Sequence, residues 1–359
     1  AVNSGEADIF GHRIPFEQID TIAGYADLCT QWMYDNRAAV LTINAASYPL
    51  DNLHLRRAIA YCINKTAIAQ DVFTGQVDPA DYLLSLASEY SPDRSGEGIF
   101  YRPDLSQARQ ELVLAGMLDD DGFVEAPNGH DLTLALAVPK DLDGMNQTAV
   151  IIRNGLTGVG LNISLEYYNS TYLENGIANH TLAYQLALYE MDLPYTDPSW
   201  GILTFAASRR GVYGENIANI NDPVLNDVAS EVAAAYDLKE RIRLTREGLT
   251  TVRDYCPVIP LFFYRSASVY SDANFEGWPD DRVGGAFSVW SPVTVTAREG
   301  SDNILRVAVL PNFFTEFFTS LNMFRSSRVL DGSWLWHDHF NPYRLIYDSP
   351  IELRPDGRF

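Results

Sequence analysis

Chemistry on a bound molecule could come from four places in this 359-residue sequence. His337, Asp338 and His339, on an extended segment, would put both imidazoles on one face, a spacing some metal sites use. No third ligand of matching kind accompanies them, so the expectation is an ordinary polar and aromatic surface segment. Asp119, Asp120, Asp121 and Gly122 hint at a calcium loop, but the twelve-residue pattern with its terminal Glu is missing, and a solvated acidic turn is expected. Arg56 and Arg57 could bind an anion; on a helix they read as ion-pair partners closing its face. The stretch 190–223 is the fourth place, dense in aromatics and turn formers, a composition suited to a surface cleft. No G-x-S-x-G, Walker loop, G-x-G-x-x-G or HExxH occurs, and no nucleophile and base form a candidate pair, so neither enzymatic activity nor a cofactor is expected.

The composition is that of a chain that folds. Apolar residues make up 47% and charged residues 20%, which is globular and far from disordered. A net charge of −21 repels phosphate backbones and anionic lipid headgroups, so nucleic acid is excluded as a partner. The longest apolar stretches, such as 258–264, fall far short of the roughly 20 residues that cross a bilayer. Cys29, Cys62 and Cys256 are odd in number and widely spaced, and read as buried free thiols. Five N-x-S/T sequons, at Asn64, Asn146, Asn162, Asn169 and Asn179, would permit glycosylation outside the cytosol. The first residues carry no basic or apolar leader, so any secretion signal would lie outside this sequence.

These candidates need elements to position them. Residues 38–44, AAVLTIN, predict a strand. Asp51 can cap a helix whose apolar positions Leu55, Ile59, Ile63 and Ala67 recur at i, i+4, with Gly75 as its stop. A loop over 80–103 precedes a helix over 104–116. Strands 132–138, 161–167 and 182–189 then alternate with helices 144–157 and 170–177, the signature of α/β layering. Helices over 223–236 and 238–254 lead to a strand at 257–264 and another near 267–270. Residues 273–303 read as a return segment and linker, and a new strand opens at Ile304.

The order of these motifs resembles family 5 of the extracellular solute-binding proteins, the peptide and nickel receptors of ABC importers. Four stretches carry the likeness: SGEADI (4–9), the hinge strand and signature helix of 42–75 with Arg56 at a recurrent arginine, SQARQELVLAGMLDDDG (106–122), and the closing helices and return strand of 225–271. Residues 304–359 resemble the start of the same family, so the family's beginning follows its end. The expectation is a piece of a tandem arrangement, with circular permutation as the alternative.

The resemblance implies an α/β, periplasmic-binding-protein-like (type II) bilobed fold, mainly the second lobe plus parts of the first. Residues 1–45 would hold the end of the first lobe and a hinge strand, and 46–256 the second α/β lobe. Residues 257–303 would hold the return hinge strand, a first-lobe remnant and a linker, and 304–359 the start of a second receptor copy. The strand of 304–359 would pair with an exposed sheet edge, its own or a neighbour's. The implied function is extracytoplasmic capture of a peptide-like or other small solute between two lobes, for delivery to an ABC permease in the membrane. A sensor or surface scaffold ectodomain of the same fold is the alternative. The ligand-binding set implied is Asn44, Met191, Asp192, Tyr195, Asp197 and Trp200, with no metal. Where family peptide receptors carry a carboxylate for the peptide's α-ammonium, four residues before a loop proline, this sequence has Pro194. With one wall of the cleft missing, binding weaker than micromolar is expected.

Overall fold

The structure, a computed structural model, describes residues 1–11, 14–23, 25, 28–84, 88, 90–92, 100–117, 124–125, 132–193, 199–281, 285–288 and 290–308. In chain order the elements are strands β1 (Ile9–Phe10) and β2 (Ile14–Pro15), helix α1 (Phe16–Ala23), strand β3 (Cys29–Ile43), helices α2 (Leu53–Tyr61) and α3 (Lys65–Ala67), strand β4 (Val77–Pro79) and helix α4 (Leu105–Leu114). There follow β5 (Thr133–Pro139), α5 (Met145–Thr157), β6 (Asn162–Tyr168), α6 (Ser170–Ala178), β7 (Leu186–Asp192), α7 (Trp200–Leu203), α8 (Pro223–Ala234) and α9 (Leu238–Tyr255). The last are β8 (Val258–Tyr270), β9 (Phe275–Glu276), α10 (Ser291–Thr294), β10 (Thr296–Ala297) and β11 (Val307–Ala308).

Two compact units divide the described residues. One draws on Asn36–Ser85 and Tyr90–Phe263, the other on Ala1–Asp35, Leu86–Glu89 and Tyr264–Phe359. In the larger unit the strand order is β8-β3-β7-β5-β6, with β4 also on β8. β5, β6 and β7 are parallel, joined through α5 and α6, while β3 runs antiparallel to β7. Parallel neighbours need a crossover of a dozen or more residues, which is what the alternating helical segments supply. Leu134, Leu136 and Val138 of β5, Ile152 and Leu156 of α5, and Leu186 and Leu188 of β7 are all buried. Each such side chain stabilises the fold by roughly 1.5–3 kcal/mol. Helix α5 approaches the turn after α2 so closely that a Cβ on Gly155 would lie 2.1 Å from the Cys62 carbonyl oxygen.

The helix expected over 51–75 is broken. Asn52, not Asp51, caps α2, accepting from the amides of His54 and Leu55. Asn64 then recaps the chain by accepting from the Ala67 amide at 2.9 Å, a local bond that competes with continuing the first helix. The break turns Lys65 inward, where its Nζ donates to the Ala80 carbonyl (2.7 Å) and to Asp81 (3.0 Å). Arg56 and Arg57 also depart from expectation. Arg56 donates to the carbonyls of Leu50, Asp51 and Tyr255, and Arg57 to that of Asp254. The C-terminal carbonyls of α9 take the guanidinium groups that sequence reading assigned to carboxylates.

In the smaller unit β1 lies between β11 and β8, and β2 also pairs with β8. Ile14, Ile19, Ala267 and Val269 form its core, with Phe10, Ile22 and Leu28 packed against them. The two strands expected at 257–264 and 267–270 are one, because Ser266 pairs with Pro15 and carries the ladder through a polar interruption. Residues 273–303 contain the two-stranded β9–β10 pair and the short α10.

Candidate functional site

In open α/β sheets, ligands bind outside the carboxyl ends of the strands. In the larger unit that edge is defined by Pro139, Tyr168 and Asp192, the last residues of β5, β6 and β7. Arg37 of β3 joins them, because the antiparallel register sets it opposite Asp192. Strand β7 runs three residues further than its expected end at Tyr189, so Glu190, Met191 and Asp192 are ladder residues and not loop.

A carboxylate stitches the loops along this edge. Asp141, just beyond β5, accepts from the Ser170 amide (2.7 Å), the Ser170 hydroxyl (2.9 Å) and the Asn169 side chain (2.9 Å). The Ser170 amide bond, first among these, holds the Asp141 carboxyl below its ordinary range. Asn169 in turn caps α6 by accepting from the Tyr172 amide. The junction therefore fixes the first turn of α6 over the end of β5. Beside it, Tyr167 donates to Asn146 at 2.7 Å, and the rings of Tyr168 and Tyr172 stack with centroids 6.0 Å apart. Tyr167 and Tyr172 keep about half of their surface in solvent, 49% and 59%.

The charge at this edge is mostly negative. Burial pushes the Glu174 carboxyl on α6 above its ordinary range, and the charges of Glu190, Asp192 and Asp141 push it the same way, while Arg37 opposes them. Arg37 Nη1 lies 3.7 Å from Glu190 Oε2. The Tyr189 hydroxyl is raised by burial, then by Glu174, Tyr213 and Asp192. Among the described residues no three His, Cys, Asp or Glu side chains are grouped closely enough to hold a metal ion. What the edge offers is a carboxylate-lined shelf with exposed phenol rings, suited to hydrogen-bonding and flanking a polar solute.

Of the residues singled out from the sequence, Asp192 is exposed at this edge, and Met191 is buried beneath it opposite Ala38. Trp200 opens α7 and is half-buried, next to buried Ser199. Asn44 does not join them. It follows the other end of β3, seven residues from Arg37 and so about 23 Å away at 3.3 Å per residue. Its amide donates to the Gln185 carbonyl and its side chain to the Tyr184 carbonyl, both at 2.9 Å. Tyr195 and Asp197, together with Pro194, lie outside the described residues, as do 119–122 and 337–339. Sequence reading passed over Arg37, Tyr172, Glu174 and Glu190, which come from three separate segments. Applying the carboxyl-end rule to the expected strands was the signal that could have found them.

A parallel β5-β6-β7 sheet with crossover helices and an antiparallel long strand beside it is the α/β fold of type II periplasmic binding proteins. Solved structures with this fold include the oligopeptide-binding protein AppA of Bacillus subtilis in complex with a nonapeptide, with a TM-score of 0.65 and 15% identity over 83% of this chain and 57% of that one. HbpA2 from Haemophilus parasuis gives a TM-score of 0.65 at 16% identity, over 83% of this chain and 55% of that one. Residues 1–212 match the model of the bacterial extracellular solute-binding proteins, family 5 Middle, and the chain belongs to that family. Among curated relatives, the probable ABC transporter periplasmic-binding protein SapA of Escherichia coli is 24% identical over 228 residues, 62% of this chain and 38% of that protein. The nickel-binding periplasmic protein of Escherichia coli is 22% identical over 273 residues, 73% of this chain and 50% of that protein. The chain thus spans half or less of the length of these relatives.

Proposed function

We propose that this protein captures a small polar solute outside the cytoplasm for an ABC importer, and that the carboxyl edge of the larger unit forms a wall of the solute site. Peptide-like solutes fit this reading best, because the relatives include receptors named for peptides and the edge pairs carboxylates with exposed phenol rings. The observation that carries the proposal is the register Arg37↔Asp192, which brings Arg37, Glu190 and Asp192 to the edge at which open α/β sheets bind ligands, within electrostatic reach of Glu174 on α6. The partner receiving the solute would be a membrane permease.

Amide NMR of the full chain, titrated with short peptides of different charge, tests this even for weak complexes. Saturable shifts are expected at the amides of Glu190, Asp192, Ser170 and Tyr172. Saturable shifts confined to α8 and α9, with this edge unmoved, would overturn the proposal.

A further inference from the structure

Strand β11 is held on the edge of the smaller unit's sheet by backbone bonds far more than by burial. It pairs parallel with β1, Ile9 opposite Val307 and Phe10 opposite Ala308. The amides of Asp8 and Ile9 donate to the Arg306 carbonyl at 2.8 and 3.3 Å, and that of Gly11 to the Ala308 carbonyl at 2.8 Å. The acceptor side is a built site. Asp8 is 3% exposed, and its carboxylate takes the Arg306 amide at 2.8 Å and the Asn274 side chain at 2.9 Å. The incoming segment is only partly buried: Val307 and Ala308 are half-buried, Ile304 is 56% exposed, and the Arg306 guanidinium turns back to Asp302 of its own segment.

We propose that β11 is an exchangeable strand, and that the β1 edge accepts residues 304–308 of a second copy of this chain in the same register. Three observations support exchange. Neither strand residue, Val307 nor Ala308, is fully buried, so little apolar burial opposes release of the two-residue strand and local opening there is cheap. Residues 298–306, which connect β10 to β11, form a short link with two left-handed residues, Gly300 (φ 92°) and Asn303 (φ 60°). A short connection of that kind releases its conformational cost when it straightens to reach a neighbour. Finally, an identical segment necessarily offers the buried Asp8 carboxylate the same amide and the same ladder, so the exchanged form loses no bond at the acceptor.

Light scattering on the full chain over increasing concentration tests the proposal. A dimer fraction that grows as concentration approaches about 1 mM, the effective concentration typical of a short tether, is expected. Asp8→Ala and Arg306→Pro each break the Asp8–Arg306 bond in the closed and the exchanged form alike. An exchanged heterodimer of the two variants regains one intact site, so their mixture should dimerise about tenfold or more tighter than either variant alone. A chain that stays monomeric throughout, or a mixture of the two variants that dimerises no better than either alone, would overturn the proposal. Should either variant fail to fold, hydrogen exchange on the unaltered chain decides. The Ile9 and Gly11 amides are expected to exchange about tenfold or more faster than that of Leu188 in β7, and equal protection would show that β11 does not open.

Discussion

Arg37 stands opposite Asp192 in the antiparallel pairing of β3 with β7, and its guanidinium reaches Glu190 at 3.7 Å. That one register decides which residues share an edge. It sets a cation beside two carboxylates, Glu190 and Asp192, and all three charges act on Glu174 of α6. An edge so charged should respond to pH and to substitution in a defined direction.

Glu174 has its pKa raised above the ordinary 4.5 by burial, then by Glu190, Asp192 and Asp141. A raised carboxyl binds its proton more tightly folded than unfolded. Its contribution to stability is therefore full below pH 4.5 and is lost as pH rises through the raised value. Glu174→Gln should raise the melting temperature at pH 7 by about 1–2 °C, with the gain vanishing near pH 4. Thermal melts of both proteins at the two pH values check this, and an equal gain at both would be inconsistent with a titration effect.

Lys65 and Asp81 form a buried pair, 1% and 3% exposed, in which Asp81 also accepts from the Phe100 amide at 3.0 Å. Lys65→Met should cost about 3–5 kcal/mol in urea unfolding, because it strands a buried carboxylate. Adding Asp81→Asn should recover part of that loss. No recovery would mean that the hydrogen bonds to Ala80 and Phe100, and not the charge, dominate the site.

Gly155→Ala places a Cβ 2.1 Å from backbone that cannot swing away, the Cys62 carbonyl. A loss of about 3 kcal/mol is expected by the same unfolding measurement. Gly211→Ala, where a Cβ meets nothing within 4 Å, probes a different cost, that of its left-handed φ of 79°. It should lose about 1 kcal/mol. The order of the two losses is the outcome to read.

Cysteine reactivity offers a fourth check. Burial pushes the Cys62 thiol up to about 12 and the Cys256 thiol to about 11, while Cys29 is half-exposed and raised by burial and by Asp272. With a thiol-reactive disulfide reagent at pH 8, one thiol per chain should react in the native state and all three in denaturant. Three fast native thiols would show that the segments around Cys62 and Cys256 open.

Much of this fold was legible before any coordinates. The alternation from β5 to β7 followed from apolar runs separated by helical periodicity, and Asp104, Asn169, Asp222 and Asp237 all cap the helices they precede. The break at Asn64 was not legible, because an apolar i, i+4 pattern runs through it, and the Asn64 cap on the Ala67 amide and the burial of Lys65 against Asp81 emerge only in the folded chain. Nor was the continuity of β8 across Arg265 and Ser266, since the strand that supports it, β2, lies some 250 residues away in sequence. The acidic edge was half legible. Asp192 stood out from its loop-like neighbours, whereas Arg37 and Glu174 acquire meaning only when β3 and α6 are placed beside β7. Asn44 failed to join them for a related reason: membership of the strand was readable, but not which end of it faces the edge.

The most direct test of the central claim is the affinity of the full chain for a peptide that binds it, compared with that of Asp192→Lys and of Glu247→Lys. Glu247 lies on α9, where it pairs with Arg243 at 2.7 Å and has no part in the carboxyl edge. If the edge of β7 contacts the solute, Asp192→Lys should change the dissociation constant about tenfold or more, equivalent to about 1.4 kcal/mol, and Glu247→Lys less than about twofold. Equal effects from the two substitutions, or none from Asp192→Lys, would contradict the account.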